Sequence, residues 1–452
     1  MKKFLYLLII LVLSTVVLYL LPDKTLQPEV ENWLQVEKPT LPPEQNGFFT
    51  MVGLFAATDD DPHTVGVEQV AAVEKAFAQQ GSMKDLTLGN YSGQKLAISD
   101  EVKDSLCDVT KTACLENFAT QAEAIRQIIA DHQVLMDRYQ NLYAIKGYQD
   151  NILPATFDTP IPALSPLMTL NQLRVAEIGV EYMTGDKSKA IQSIQQDIDF
   201  VRLLLANTGM LITKMIARKM LATDLHLYAQ MLDAETPLSP EVMALADNLP
   251  ALSMTERSLE TVMRYEFQMI SHFVLSLSNK SWLEKWEELS RLEDDNLLSL
   301  WTLKPNATIN HAYLLIFKSI ADLSHLPITE FLSHKDKLSE EKPGIWDYLY
   351  NGTGTIWNEA AKSAYDSIYI SKIIDLEGLI RLVQLKKLIR SQGITESQLP
   401  EFLAANAENY GNPYTGKPML WNAERQVLYF ESPDKTNKSY YRELALAFNK
   451  IA

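Results

Sequence analysis

Cysteine is nearly absent from this chain. Its 452 residues include two, Cys107 and Cys114, in the run CDVTKTAC. A spacing of six residues is typical of a local disulfide that closes a loop before a helix. A redox pair is more often C-x-x-C, and a metal site would need further ligands close by. The spacing therefore predicts a structural disulfide.

Catalytic motifs are missing as well. None of the seven histidines belongs to H-E-x-x-H or E-x-x-H, and neither G-x-S-x-G nor a P-loop occurs. An S-x-x-K match at residues 92–95 lacks the partner motifs that it needs. The run NGTGT at 351–355 could wrap a phosphate at a helix start, but we interpret it as a turn with an N-cap. We expect no catalytic, cofactor-binding or metal-binding residue.

Paired carboxylates leave one enzymatic alternative open. Glu177 and Glu181 are one helical turn apart, as are Glu256 and Glu260. Two carboxylates that flank a glycosidic bond can hydrolyse a glycan. A periplasmic glycan or cell-wall hydrolase with residues such as Glu177 or Glu266 in a cleft is therefore the enzymatic hypothesis, although acidic surface faces are far commoner.

Charge is missing from residues 4–21 (FLYLLIILVLSTVVLYLL), which begin with Phe4 and end with Leu21. As a helix, these residues would span about 27 Å, close to the thickness of a bilayer's hydrocarbon core. The bulky residues at the end of the run favour a retained anchor over a cleaved signal peptide. Lysines before the run and acidic residues after it place the amino terminus in the cytoplasm. We expect a single-pass protein of the bacterial inner membrane whose remaining chain is periplasmic.

Positive charge is scarce. The formal net charge is −16, and it becomes −18 (39 basic against 57 acidic residues) once Lys2 and Lys3 are assigned to the cytoplasm. Such a surface repels nucleic acid and anionic lipid headgroups. We therefore expect no nucleic-acid partner.

Proline spacing suggests how the chain is divided. Five prolines between residues 22 and 46 oppose regular helix and predict a semi-rigid spacer. A large helical periplasmic domain is expected over residues 47–400, with a possible subdivision near 235–255. Residues 401–452 are expected to form a separate unit of turns, a β-hairpin and a short helix.

Apolar periodicity predicts a mainly α fold. A hinge is expected over 335–350, and few strands are expected before residue 400. Helices are predicted over 65–80, 117–143, 167–183, 188–207, 210–232, 255–277, 311–323 and 357–391, the last interrupted near Gly378 and closed by Gly393.

The carboxyl-terminal sequence has a different character. Residues 408–418 are dense in turn formers, and the apolar runs 419–421 and 426–430 flank the polar residues 422–425. This arrangement predicts a β-hairpin with a four-residue loop.

The run NPYTGKP at 412–418, followed by an aromatic strand and LYF, resembles the tails of uncharacterised bacterial envelope proteins with an N-terminal anchor and a mainly helical domain. The resemblance extends to NGFFTMVGL, PHTVG and KPNATIN, and it implies no known activity. Over about ten residues the tail also resembles the major type II secretion pseudopilin. Since Asn412 stands where that family has aspartate, the calcium site of the family is not expected here.

The sequence thus predicts a membrane-anchored periplasmic protein that binds or scaffolds an envelope partner and is not catalytic. The glycan hydrolase, and an accessory component of a secretion or pilus system, remain as alternatives. Recovery of an envelope partner, or glycan release by the purified protein, would distinguish them.

Overall fold

The structure, a computed structural model, describes residues 20–35, 40–80, 91–150, 155–157, 159–278, 303–339, 342–365, 368–446 and 448. As predicted, it is mainly helical with a small carboxyl-terminal sheet. The predicted anchor over 4–21 lies outside the described residues, except for Leu20 and Leu21. In the part of the chain that is described, we find no helix with the length and apolar character needed to cross a membrane.

The helices up to residue 278 include a seven-residue helix within the predicted spacer. They are α1 Pro28–Leu34, α2 Gly47–Val52, α3 Pro62–Gln80, α4 Asp100–Ser105, α5 Leu115–Thr120, α6 Ala122–Asp131, α7 Gln133–Asn141, α8 Leu164–Thr184, α9 Lys187–Asn207, α10 Leu211–Ala234, α11 Pro240–Asp247, α12 Met254–Arg257 and α13 Glu260–Ser278.

The elements after residue 303 end in the sheet. They are α14 Pro305–Ala312, a π-helical turn Tyr313–Phe317, α15 Lys318–His325, α16 Ile328–Ser339, α17 Ile345–Ala364, α18 Ile368–Ser391, α19 Leu399–Ala405, α20 Ala407–Tyr410, β1 Leu420–Asn422, β2 Val427–Tyr429 and β3 Glu443–Ala445.

Helices α10 and α18 form the centre of the molecule. Both are buried on nearly every face, and they pack against each other. Helices α8 and α9 form the predicted hairpin, in which the Asp186 side chain caps α9 by accepting a hydrogen bond from the Lys189 amide. Their buried residues include charged side chains as well as apolar ones, so both helices need neighbours on every side and take the interior positions.

The hydrophobic core continues through the predicted subdivision near 235–255. One cluster of buried side chains extends from Val30 to Leu446. Helix α11 is joined to it by the Tyr228 hydroxyl, which donates to the Val242 carbonyl at 2.6 Å. In addition, Gln384 of α18 donates to the Leu249 carbonyl. The residues around this predicted boundary therefore belong to the same core as the helices on either side.

The predicted spacer over 22–46 does not stand apart from the domain. Helix α1 buries Val30 completely and leaves Trp33 only 8% exposed. The Trp33 ring meets Phe267 and Tyr313 edge to face. Gln268 of α13 donates a hydrogen bond to the Trp33 carbonyl. The prolines do keep the helix short, but its apolar face packs into the core, so the described residues of this segment are part of the domain.

Several helix boundaries differ from prediction. The expected helix over 117–143 consists of three helices, which meet at Gln121 and His132. The expected hinge over 335–350 is largely helical, in α16 and α17. The expected helix over 357–391 is divided between α17 and α18, and Gly393 ends α18 with a positive φ of 62°. The apolar periodicity continues across these breaks between consecutive helices, so the sequence pattern alone does not reveal them.

The carboxyl-terminal hairpin is confirmed, but a third strand extends it. Strand β2 pairs antiparallel with β1 and with β3, so Leu428 lies opposite both Trp421 and Leu444. A 3₁₀ turn and β3 occupy the place of the predicted short helix. Phe430 packs against Gly378, where a Cβ atom would lie 2.2 Å from the ring. Helix α18 therefore continues through Gly378, and the glycine makes room for the sheet.

Candidate binding cleft

The carboxylates that the sequence singled out on α8 and α13 lie in separate local interactions. Arg174 binds Glu177 at 2.6 Å. Glu181 accepts a hydrogen bond from the Asp186 amide at the turn between α8 and α9. Glu260 lies 3.4 Å from a histidine ring. The first two contacts stabilise α8 and its end, and the third, with His325, links α13 to α15.

Glu256 and Glu266 also have structural partners. Glu256 completes the capping box of α12 and forms an ion pair with Arg202 at 2.7 Å. Glu266 is partly buried and accepts a hydrogen bond from the Tyr365 hydroxyl at 2.6 Å. Burial raises the pKa of Glu266. Glu177 and Glu266, the residues named for the hydrolase, are thus held by different partners.

A buried carboxyl pair that the sequence did not indicate lies between α9 and α10. Asp197 and Asp224 are both fully buried. The Tyr139 hydroxyl donates to Asp197 at 2.8 Å, and the Asn171 amide donates to Asp197 at 3.1 Å and to Asp224 at 3.4 Å. Burial raises the pKa of Asp197 to about 6, and burial together with the neighbouring Asp197 raises the pKa of Asp224 well above its usual range.

Helices of the described chain enclose this pair and keep it from any substrate. The polar groups around it belong to neighbouring helices and are themselves buried. The sequence did carry one signal, because Asp197 lies between Ile194 and Val201 on the apolar face of α9, where a charged residue is unusual. The periodicity gave no indication that a second aspartate would face it.

The histidines serve mainly as hydrogen-bonding groups. His226 contacts the Tyr440 carbonyl at 2.7 Å, and His272 contacts the Ala155 carbonyl at the same distance. Desolvation lowers the pKa of His226 to about 4. Within the described ranges, no three His, Cys, Asp or Glu side chains are grouped so that they could hold a metal ion.

The predicted disulfide between Cys107 and Cys114 is confirmed. Its loop is fixed to the central helix α10 by one side chain. Gln230 accepts a hydrogen bond from the Cys114 amide at 2.7 Å and donates to the carbonyls of Val109 and Thr112. The disulfide therefore closes this loop, and Gln230 joins the loop to the core.

An accessible cavity lies where residues 22–27 run along α14. Its volume is about 360 Å³, within the range of small-ligand sites. Its lining includes Lys24, Gln27, Asn310, Leu314, Lys342 and Tyr350. Charged, amide and apolar groups thus converge on one cleft, which we call the anchor-proximal cleft.

The wall of the cleft depends on the run NGTGT, whose composition predicted a turn before a helix. The run lies at a break within α17, where Asn351 has the non-helical angles φ −141° and ψ 54°, so the chain does turn here, but helix precedes the run as well as following it. The Asn351 side chain accepts a hydrogen bond from the Lys304 amide and donates to the Thr308 hydroxyl at 2.9 Å. A Cβ on Gly354 would lie 1.9 Å from the Thr308 hydroxyl. The run therefore allows α17 to pack closely on α14, and it does not form a phosphate loop.

Lysines give the cleft a local positive charge. The Nζ of Lys24 and of Lys304 lie 5.9 and 5.8 Å from the centre of the Tyr350 ring. Two acidic side chains nearby already bind backbone amides. Asp23 accepts from the first amides of α14, and Asp347 accepts from the Gly344 amide. Among the described residues, three lysines (Lys24, Lys304 and Lys342) therefore stand against two aspartates here, so the cleft has a small excess of positive charge, in contrast to the acidic chain as a whole.

A second cavity of about 480 Å³ lies beside α2 and is lined by Glu44, Thr50, His63 and Lys146, among others. His63 contacts the Thr50 hydroxyl at 2.9 Å. Fewer cationic groups line this cavity than line the anchor-proximal cleft.

Comparison with known protein families, with curated proteins and with solved structures gives no match for this chain. The geometry described above is therefore the basis for any proposal about function.

Proposed function

We propose that this chain is a single-pass, N-terminally anchored protein of the bacterial cell envelope whose periplasmic domain binds a partner and does not catalyse a reaction. The observation that supports this proposal is the anchor-proximal cleft. It combines Lys24 and Lys342 with amide and apolar groups. Lys24 follows closely in sequence on the apolar run that ends at Leu21. Such a cleft suits an anionic or polar group of an envelope component.

The geometry favours binding over glycan hydrolysis. The hydrolytic mechanism needs two carboxylates about 5–10 Å apart that flank a sugar in an open cleft. Among the described residues, Asp347 is the carboxylate that lines the anchor-proximal cleft, and Glu44 is the one that lines the second cavity. The close pair of Asp197 and Asp224 is enclosed by helices.

The tail motif has a structural explanation that requires no secretion or pilus partner. The Tyr414 hydroxyl of the run NPYTGKP donates to Asp375 of α18 at 2.7 Å. Asn412 accepts a hydrogen bond from the Tyr414 amide and donates to the Glu431 carbonyl. These residues dock the tail on the central helix, so the resemblance to pseudopilins adds no support for an accessory role.

Crosslinking and co-purification of the intact protein from membranes tests this proposal. We expect the wild-type protein to recover a reproducible envelope partner. The double variant Lys24→Glu and Lys342→Glu, which reverses the charge of the anchor-proximal cleft, should lose this partner. Lys95→Glu combined with Lys417→Glu is the matched control, since both lysines are exposed outside the cleft.

Two outcomes would contradict the proposal. Equal recovery of the partner by the cleft variant and the control would show that the cleft is not the binding site. Glycan release by the purified protein, with no partner recovered, would support the hydrolase.

A further inference from the structure

An exposed apolar patch lies at the start of α17. Ile345 is 82% exposed, Trp346 59% and Leu349 44%. These three residues, which we call the interfacial patch, lie within the first five positions of the helix. Large apolar side chains grouped on a surface mark a contact with a protein, a ligand or a membrane.

Hydrogen bonds place this patch beside the end of the predicted anchor. Tyr350, one turn along α17 from Trp346, donates from its hydroxyl to the Pro22 carbonyl at 2.8 Å. Lys304 donates from Nζ to the Leu21 carbonyl at 2.6 Å. One helical turn advances about 5.4 Å along the axis. The patch and the last residues of the apolar run therefore lie within a few side-chain lengths of each other.

The composition of this region matches a membrane interface. Tryptophan and tyrosine concentrate at the level of lipid headgroups, and lysine side chains extend from apolar surroundings towards those headgroups. Trp346 and Tyr348 are exposed at the start of α17, while Lys24 and Lys342 line the adjoining cleft. This local positive charge offsets the repulsion that the acidic chain as a whole would experience from anionic lipid.

The sequence outside the described residues indicates what covers the interfacial patch. Residues 4–21 are apolar and long enough to cross a bilayer, and Leu20, at the described end of this run, is 70% exposed. An anchor that leaves the bilayer at Leu21 would bring the surface of the membrane to the same level as Tyr350 and its neighbours on α17.

We propose that the first turns of α17 lie in the lipid interface, with Ile345, Trp346 and Leu349 inserted among headgroups and upper acyl chains. This inference rests on the proposed anchoring by residues 4–21. The domain is then held in one orientation, and the anchor-proximal cleft opens at the membrane surface. A ligand would then enter the cleft from the side that faces the bilayer.

Site-specific photo-crosslinking to lipid tests this orientation. The full chain would carry a photoreactive amino acid at position 346 or 349 and be reconstituted in vesicles of phosphatidylethanolamine and phosphatidylglycerol with a radiolabelled lipid. We expect several-fold more lipid adduct from these positions than from position 161. Ile161 is a matched control, because it is an exposed isoleucine, at 53%, outside the patch.

Carbonate extraction of the same vesicles tests the anchoring by residues 4–21 separately from the orientation of α17 in the lipid interface. If the chain resists extraction but positions 346 and 349 give no more lipid adduct than position 161, the orientation is wrong and the anchoring stands. If alkaline carbonate removes the chain, both are wrong. A protein adduct at position 346, with no lipid adduct, would show that a second copy or another protein covers the patch, and the orientation would again be wrong. Circular dichroism of each labelled protein checks that it is folded.

Discussion

At the scale of single residues, the buried carboxyl pair predicts an unusual dependence of stability on pH. The ordinary pKa of an aspartate is 3.8, whereas that of Asp197 in the folded protein is about 6 and that of Asp224 is raised well above its usual range. Above about pH 4, the folded state therefore binds more protons at this pair than the unfolded state does. The free energy of unfolding consequently falls as the pH rises through 6.

Asp224→Asn should weaken this dependence. The amide carries no charge and removes the repulsion from Asp197, so we expect the variant to be more stable than the wild type at pH 7.5 by about 1–3 kcal/mol. Urea unfolding at pH 4.5 and pH 7.5 measures the difference. Asp199→Asn, on the exposed face of α9, is the control. Parallel pH profiles for Asp224→Asn and the wild type would show that the pair does not control this dependence.

Gly378 provides a test of how the sheet packs on α18. A Cβ at this position would lie 2.2 Å from the Phe430 ring, and Phe430 is buried. We expect Gly378→Ala to destabilise the protein by about 1–2 kcal/mol in chemical denaturation, because overpacking outweighs the gain in helix propensity. Gly344→Ala is the control, since its Cβ would lie 3.6 Å from the nearest atom, in Asp347. Unchanged or increased stability of Gly378→Ala would mean that the sheet is not held against this helix.

At the scale of secondary-structure elements, α1 decides whether residues 22–46 are a spacer or part of the domain. Trp33 lies among Phe267 and Tyr313. We expect Trp33→Ala to reduce the free energy of unfolding by about 3–5 kcal/mol, the cost of removing a buried aromatic side chain. Trp346→Ala, which removes an exposed tryptophan, should cost no more than about 0.5 kcal/mol in detergent. Equal, small effects of the two substitutions would restore the spacer interpretation.

Helix positions were predictable where apolar residues repeat at helical spacing over many residues. Helices α8, α9 and α10 lie within three residues of the predicted bounds. The run NGTGT does interrupt the helix at Asn351, as its composition predicted, but the composition did not show that Gly354 also lets α17 approach Thr308 of α14 closely. Local composition cannot distinguish these two uses of a small residue.

At the scale of the whole molecule, the continuous core predicts cooperative unfolding. Buried side chains from Val30 to Leu446 form one cluster that includes the residues around 235–255. For the full chain in detergent, we expect far-ultraviolet and near-ultraviolet circular dichroism to report the same unfolding midpoint in urea, because the helices share one core. Separate midpoints would support the predicted subdivision.

The candidate cleft was not predictable from the sequence. Lys24 and Lys342 are more than three hundred residues apart, and the interaction of Tyr350 with the Pro22 carbonyl brings their surroundings together. The predicted hydrolase residues failed to meet for the same reason, since spacing along one helix says nothing about which helices become neighbours.

The sequence by itself determined the features that depend on local order. These are the mainly helical fold, the hairpin near the carboxyl terminus and the disulfide between Cys107 and Cys114, because periodicity, turn residues and short spacing act over a few residues. Only the tertiary structure decided that residues 22–35 pack on the domain, that Asp197 faces Asp224 and that lysines converge on a cleft in an acidic chain. Each of these depends on contacts between distant segments, which are selected by the packing of the entire core.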